Sequence, residues 1–193
     1  KESAAGEKKR DEVRDIKVVK TLKAAVAKAV RQAQFETRSE MEVFDKVAND
    51  LLDSEMEVRI LAAAELGKIG NPAAVPVLME SANFDNTDLT SEIINSLITL
   101  GDVQAIPLFQ EKASDPNYRV RIGCLRGLYK LADDRDSVPL LKEALQDGHP
   151  EVRRTAATFI GWKDSAEASP ALIQCLRDED ARVRKAAVSA LAN

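Results

Sequence analysis

Apolar residues recur along this chain at helical spacing, and the helical segments themselves recur. Steps of four connect Val58, Ala62 and Leu66; Leu89, Ile93 and Leu97; Val120, Cys124 and Leu128; Val152, Ala156 and Ile160; and Val183, Ala187 and Leu191. Residues four apart share one helical face, so the pattern predicts five amphipathic helices. Their leading residues are separated by 31, 31, 32 and 31 positions. A second series, Pro76, Pro107, Pro139 and Pro170, is separated by 31, 32 and 31. Apolar pairs follow each proline: Val77-Leu78, Leu108-Phe109, Leu140-Leu141 and Ala171-Leu172. This predicts a second helix per unit with proline in its first turn, where a missing amide hydrogen costs little. Gly70 and Gly101 are placed to end first helices in the left-handed conformation, and Ala132 and Asp164 fill the same slot. Asn71-Pro72, Asp102, Asp136-Ser137 and Asp164-Ser165 are the expected caps of the second helices.

Two series with one period define a helix-turn-helix unit of roughly 31 residues. One such pair cannot bury both of its apolar faces, so neighbouring pairs must stack, and the expected fold is an all-α solenoid. Each unit opens on an aspartate, which divides the chain at about 53–84, 85–114, 115–146, 147–177 and a partial 178–193. Residues 36–52, with Phe44, Val47, Ala48 and Leu51, are predicted as the second helix of an earlier degenerate unit, with Asp45 in the proline slot. Its first helix would span 11–34, making 11–52 a degenerate N-terminal pair and 1–10 a flexible tail. The last unit holds only a first helix, whose apolar face is expected to be open. The start at Lys1, without methionine or a signal-peptide pattern, reads as part of something longer.

Composition narrows the chemistry. With 45% hydrophobic and only 4% aromatic residues among 193, and 28 alanines, the chain favours helices. No uninterrupted apolar run approaches the ~18 residues that cross a bilayer. Two cysteines and one histidine cannot build the usual disulfide frameworks or zinc sites, and two unpaired thiols fit a reducing, cytoplasmic compartment. The net charge of −4 conceals a polarity: residues 1–35 carry ten Lys/Arg against five Asp/Glu, and residues 36–193 carry 18 against 27. An acidic body is a poor match for phosphate backbones, so a nucleic-acid partner is disfavoured.

The aspartate, the Val-Arg pair, the alanine-rich first helix, the run Leu66 to Gly70 and the proline of the second helix together resemble the short HEAT-like repeats of the phycobilisome (PBS) lyase type. The resemblance covers residues 53–193. It implies a right-handed α-α superhelix of HEAT-like hairpins in which second helices line the concave surface. It also implies a ladder in which Arg59, Arg121, Arg153 and Arg184 reach aspartates of neighbouring units, with Thr90 breaking the series in the second unit.

Four residues beyond the prolines stand Glu80, Glu111, Glu143 and Gln174. On a concave second-helix surface the three glutamates would form an acidic row suited to a basic helix or tail of a partner protein. Trp162, the single tryptophan, fills a slot occupied elsewhere by Lys68, Thr99 and Lys130, and tryptophan is enriched at binding hot spots. The stretch from Lys17 to Arg31 is a basic amphipathic helix expected to cap the solenoid, with contact to an anionic membrane surface as the lesser outcome. His149, in the turn Asp147-Gly148-His149-Pro150, is expected to be solvated. Neither cysteine has a histidine in its own helical segment to activate it, and phosphate loops and Ser/His/Asp sets are absent from the sequence. These features point to a non-catalytic interaction scaffold without cofactor or metal, which binds a protein on its concave face through Glu80, Glu111, Glu143 and Trp162. The alternative is a subunit of a phycobilin-lyase-like chromophore attachment enzyme. That role would require a second subunit and a bilin, and no residue here can be assigned to its chemistry by motif.

Overall fold

The computed structural model describes residues 4–163 and 169–192, and side chains from residue 15 onward. Among the described residues there are eleven α-helices, one 3-10 turn and no strand, and the chain divides into two compact units, Lys1–Ala105 and Ile106–Asn193. The architecture is the all-α solenoid type, built from stacked helical hairpins.

The first unit holds α1 (Ala4–Gln32), α2 (Arg38–Asp50), α3 (Met56–Ile69), α4 (Ala74–Ser81), α5 (Thr87–Leu100) and the 3-10 turn Val103–Ala105. Helices α3 and α5 end at Gly70 and Gly101, with φ of 73° and 71°, a conformation that a side chain with Cβ resists. Between them Gly67 lets Ser96 approach so closely that a Cβ on the glycine would sit 2.7 Å from the Ser96 hydroxyl oxygen. That hydroxyl donates to the Ala63 carbonyl at 2.9 Å, satisfying a buried polar group. Thr37 caps α2 by accepting from the Glu40 amide, and the Glu40 carboxylate accepts from the Glu36 amide at 3.0 Å.

In ordinary repeats first helix packs on first helix, as α3 does on α5. Helix α1 departs from this: it lies against α4, a second helix, while α2 lies against α3. Val18, Leu22, Val26 and Ala29 form its buried stripe, spaced four, four and three apart, and Lys17, Lys20, Lys23, Lys28 and Arg31 remain exposed. The apolar face that a membrane would require is covered by protein within this unit.

The second unit holds α6 (Ile106–Lys112), α7 (Tyr118–Leu131), α8 (Asp134–Ala144), α9 (Pro150–Lys163), α10 (Ser169–Cys175) and α11 (Ala181–Leu191). Its core runs through Leu125, Leu141, Leu145, Ile160, Leu172 and Val183. Helix α8 starts earlier than the sequence suggests. Asp133 is the cap, accepting from the Asp136 amide at 3.0 Å, so Pro139 falls at the sixth helical position, beyond the first turn. The expected cap at Asp164-Ser165 lies outside the described residues. On α11, Val188 is exposed, whereas Ala63, Ile94, Leu125 and Ala157 in the same slot of other repeats are buried.

Candidate functional site

Arginines close the junctions between repeats. Arg121 sends Nε and Nη2 to the two carboxylate oxygens of Asp147, each at 2.7 Å, and Nη1 to the carbonyls of Asp115 and Pro116. Arg153 repeats the arrangement on Asp178, at 2.7 and 2.9 Å, and adds Glu179 at 3.2 Å. Such bidentate, charge-assisted pairs fix geometry as well as contribute energy. Burial pushes the Asp147 carboxyl upward, but hydrogen bonds from Arg121 and the His149 amide outweigh it and hold the group below the usual carboxylate range. The Arg153 hydrogen bonds, working against burial, do the same for Asp178. Arg59 differs: its Nε donates to the Asp53 carbonyl at 2.5 Å and its guanidinium stacks 4.1 Å from the centroid of Phe84. Arg184 donates to the carbonyls of Asp178 and Glu179 at 2.8 and 3.0 Å.

The three glutamates have different surroundings. Glu80, on α4, is half-buried and accepts a hydrogen bond from the Thr21 hydroxyl of α1. Glu111, on α6, is exposed and pairs with Lys112 at 3.2 Å. Glu143, on α8, is exposed and lines a groove of about 730 Å³ with Gln110, Ser114, Arg121 and Asp147. His149 is not a solvated loop residue: it is half-buried, its ring stacks 3.7 Å from Tyr118, and Nδ1 accepts the Glu151 amide.

Trp162 lies in the last turn of α9 and is 61% exposed. It rests on a stacked pair, Tyr129 and Phe159, whose centroids are 4.7 Å apart, and lies 5.6 Å from each ring. Its indole walls a groove of about 390 Å³ between α9 and α11, with Arg154 and Thr158 on one side and Arg182, Lys185 and Ser189 on the other. Ala186 and Ala190 also line the groove. The helices close together where Gly161 meets Ala190; a Cβ there would lie 2.6 Å from the Ala190 Cα. Glu151 binds both Arg154, at 2.9 Å, and Arg182, at 2.5 Å, and Asp180 also holds Arg182. Among the described residues Lys185 makes no ion pair. Sequence reasoning singled out Trp162 but not this basic surround. The signal was there: two residues after the leading valine stand Ile60, Ser91 and Ile122, then Arg154 and Lys185.

Cys124 is fully buried, and that burial pushes its thiol up to about 12, so it is protonated at neutral pH. Among the described residues no group of three or more His, Cys, Asp or Glu could hold a metal ion, and no helix is long and apolar enough to cross a membrane.

Stacked hairpins with bidentate Arg-Asp junctions define a helical-repeat protein, and the sequence comparison names the class. Residues 45–113 and 107–192 match the family model for HEAT repeats, and the chain belongs to that family, with repeats of the PBS lyase type. It is 32% identical over 105 residues to the phycocyanobilin lyase subunit beta of Nostoc sp., covering 54% of this chain and 52% of that protein. It is 36% identical over 99 residues to the bilin biosynthesis protein RpcF of Synechococcus sp., covering 51% and 46%. It is 34% identical over 104 residues to the phycocyanobilin lyase subunit beta of Pseudanabaena tenuis, covering 54% and 35%. The chain thus spans about half or less of the length of the curated relatives it matches. These relatives correct the expectation of a non-catalytic scaffold, because each is named as a phycocyanobilin lyase subunit or a bilin biosynthesis protein. The repeat pattern misled because it records how hairpins stack, which is common to scaffolds and enzyme subunits alike.

Proposed function

We infer that the chain is a subunit of a bilin-attaching lyase, acting on a linear tetrapyrrole together with a second subunit. The observation that carries this reading is the agreement of three relatives, each matched over about half of this chain and each named for a bilin enzyme or bilin biosynthesis. Its own residues are suited to holding and presenting rather than to bond making. Cys124, sealed and protonated, is no nucleophile, and the arginines of the junctions are committed to aspartates. A protein partner fits a subunit role. Glu111 and Glu143, both exposed, would meet a basic segment of that partner, whereas Glu80 is engaged by Thr21. The test is to mix the chain, a second lyase subunit and phycocyanobilin and record visible absorbance and circular dichroism. A lyase subunit gives an induced band that needs this chain. A band of equal strength without it rejects the reading.

A further inference from the structure

A tetrapyrrole of this kind presents two things to a protein: flat conjugated rings and two propionate carboxylates. The grooves differ in what they offer. The one bearing Glu143 carries the carboxylates of Asp115 and Asp147 as well, and its only arginine, Arg121, is spent on Asp147. A third groove of about 410 Å³, beside Arg153, carries Asp147, Asp178 and Glu179, with Arg153 likewise spent. Both would repel a dicarboxylate. The groove of about 700 Å³ between α1 and α4 sets Lys28 against Glu80 and holds no aromatic ring. The groove between α9 and α11 differs: it has one indole face, two hydroxyls and, beside Arg154 and Arg182 on Glu151 and Asp180, the unpaired Lys185.

We propose that this groove binds one propionate-bearing end of the bilin, with a pyrrole ring on Trp162 and its carboxylate on Lys185. The proposal rests on the bilin-lyase reading and assigns that reading a site. A flat ring gains from an exposed indole already held in place, and Tyr129 and Phe159 hold this one from behind. Lys185 has a charge to give, whereas Arg154 and Arg182, on the same groove, are held by Glu151 and Asp180. Small residues, Ala186 and Ala190, keep the groove open, while the close approach at Gly161 limits its length. A volume of about 390 Å³ admits part of a tetrapyrrole, leaving the remainder for a second subunit.

The one tryptophan of the chain walls this groove, so its fluorescence senses bilin bound there, and the Lys185 variant ties the signal to the groove. Phycocyanobilin and its dimethyl ester are titrated separately into the full chain; they share a chromophore, so optical artefacts match, but the ester lacks carboxylates. The acid is expected to quench Trp162 saturably and the ester about tenfold more weakly, the loss of one charge-assisted contact. Lys185→Glu, at an exposed residue without an ion pair, should keep the helical circular dichroism and weaken the acid about tenfold. The groove is overturned if acid and ester titrate alike, if Lys185→Glu binds as the parent does, or if Trp162 responds to a second subunit but not to bilin. Bilin whose visible dichroism changes without any Trp162 response also overturns the groove and leaves the lyase reading standing. Failure of the complete mixture to attach bilin strikes the lyase reading instead.

Discussion

The guanidinium of Arg121 straddles the carboxylate of Asp147, the opening aspartate of the next repeat, with two hydrogen bonds of 2.7 Å. The side chains are 15% and 13% exposed, so the pair is mostly withdrawn from water. Removing one partner strands the other charge, and Arg121→Ala is expected to cost about 2–4 kcal/mol. Urea melts of Arg121→Ala, Asp147→Asn and the double variant should give a coupling above about 1 kcal/mol, the upper end for exposed pairs. A coupling near zero would reduce this junction to a surface contact.

Acid should loosen the same junctions. Asp147 and Asp178 both titrate below the usual carboxylate range when folded. A depressed carboxyl contributes stability that is present above the unfolded value of about 3.9 and is lost as pH falls through the folded value. The melting temperature should therefore decline below about pH 4, and Asp178→Asn should flatten that decline while lowering the melting temperature at neutral pH. A parallel acid limb in the variant would disconnect Asp178 from it.

Gly161 is a packing requirement. A methyl group there would meet the backbone Cα of Ala190 at 2.6 Å, so α9 and α11 must separate for Gly161→Ala to fit. Alanine favours an isolated helix by about 1 kcal/mol over glycine, yet overpacking of this kind costs about 1–3 kcal/mol. Thermal unfolding should show a net loss of stability. A gain would mean that the contact yields easily.

Cys124 should be silent toward thiol reagents in the native protein. Its thiol is fully buried and pushed up to about 12, which leaves almost no thiolate at pH 8. Modification followed by mass spectrometry should find Cys124 labelled only at the rate of unfolding, and fast native labelling would contradict its burial.

The repeat period makes the stacking order readable because each first helix buries the same slots. Gly70 and Gly101 mark where α3 and α5 must stop, and both adopt the left-handed turn. The start of α8 is not readable from the proline alone, since Asp133 competes with Asp136 as the cap and wins one turn earlier. Nor is the placement of α1: its stripe needs an apolar partner, but nothing local distinguishes a first helix from α4. Glu80 accordingly looked free in sequence and is met by Thr21, 59 residues away. The Trp162 groove draws on two repeats at once, so Trp162 is visible as an odd residue in its slot while Arg182 and Lys185 gain meaning only when α11 is laid beside α9. Function was least legible, because stacking residues dominate the repeat and carry no chemistry of their own.

The most direct measurement is covalent transfer. Phycocyanobilin, an acceptor protein and a second lyase subunit are incubated with and without this chain, and bilin colour retained on the acceptor is followed through denaturing electrophoresis. A lyase subunit predicts attachment that requires this chain and rises with its concentration to an equimolar plateau with the second subunit. Attachment at the same rate in its absence, or none in the complete mixture, would contradict the account.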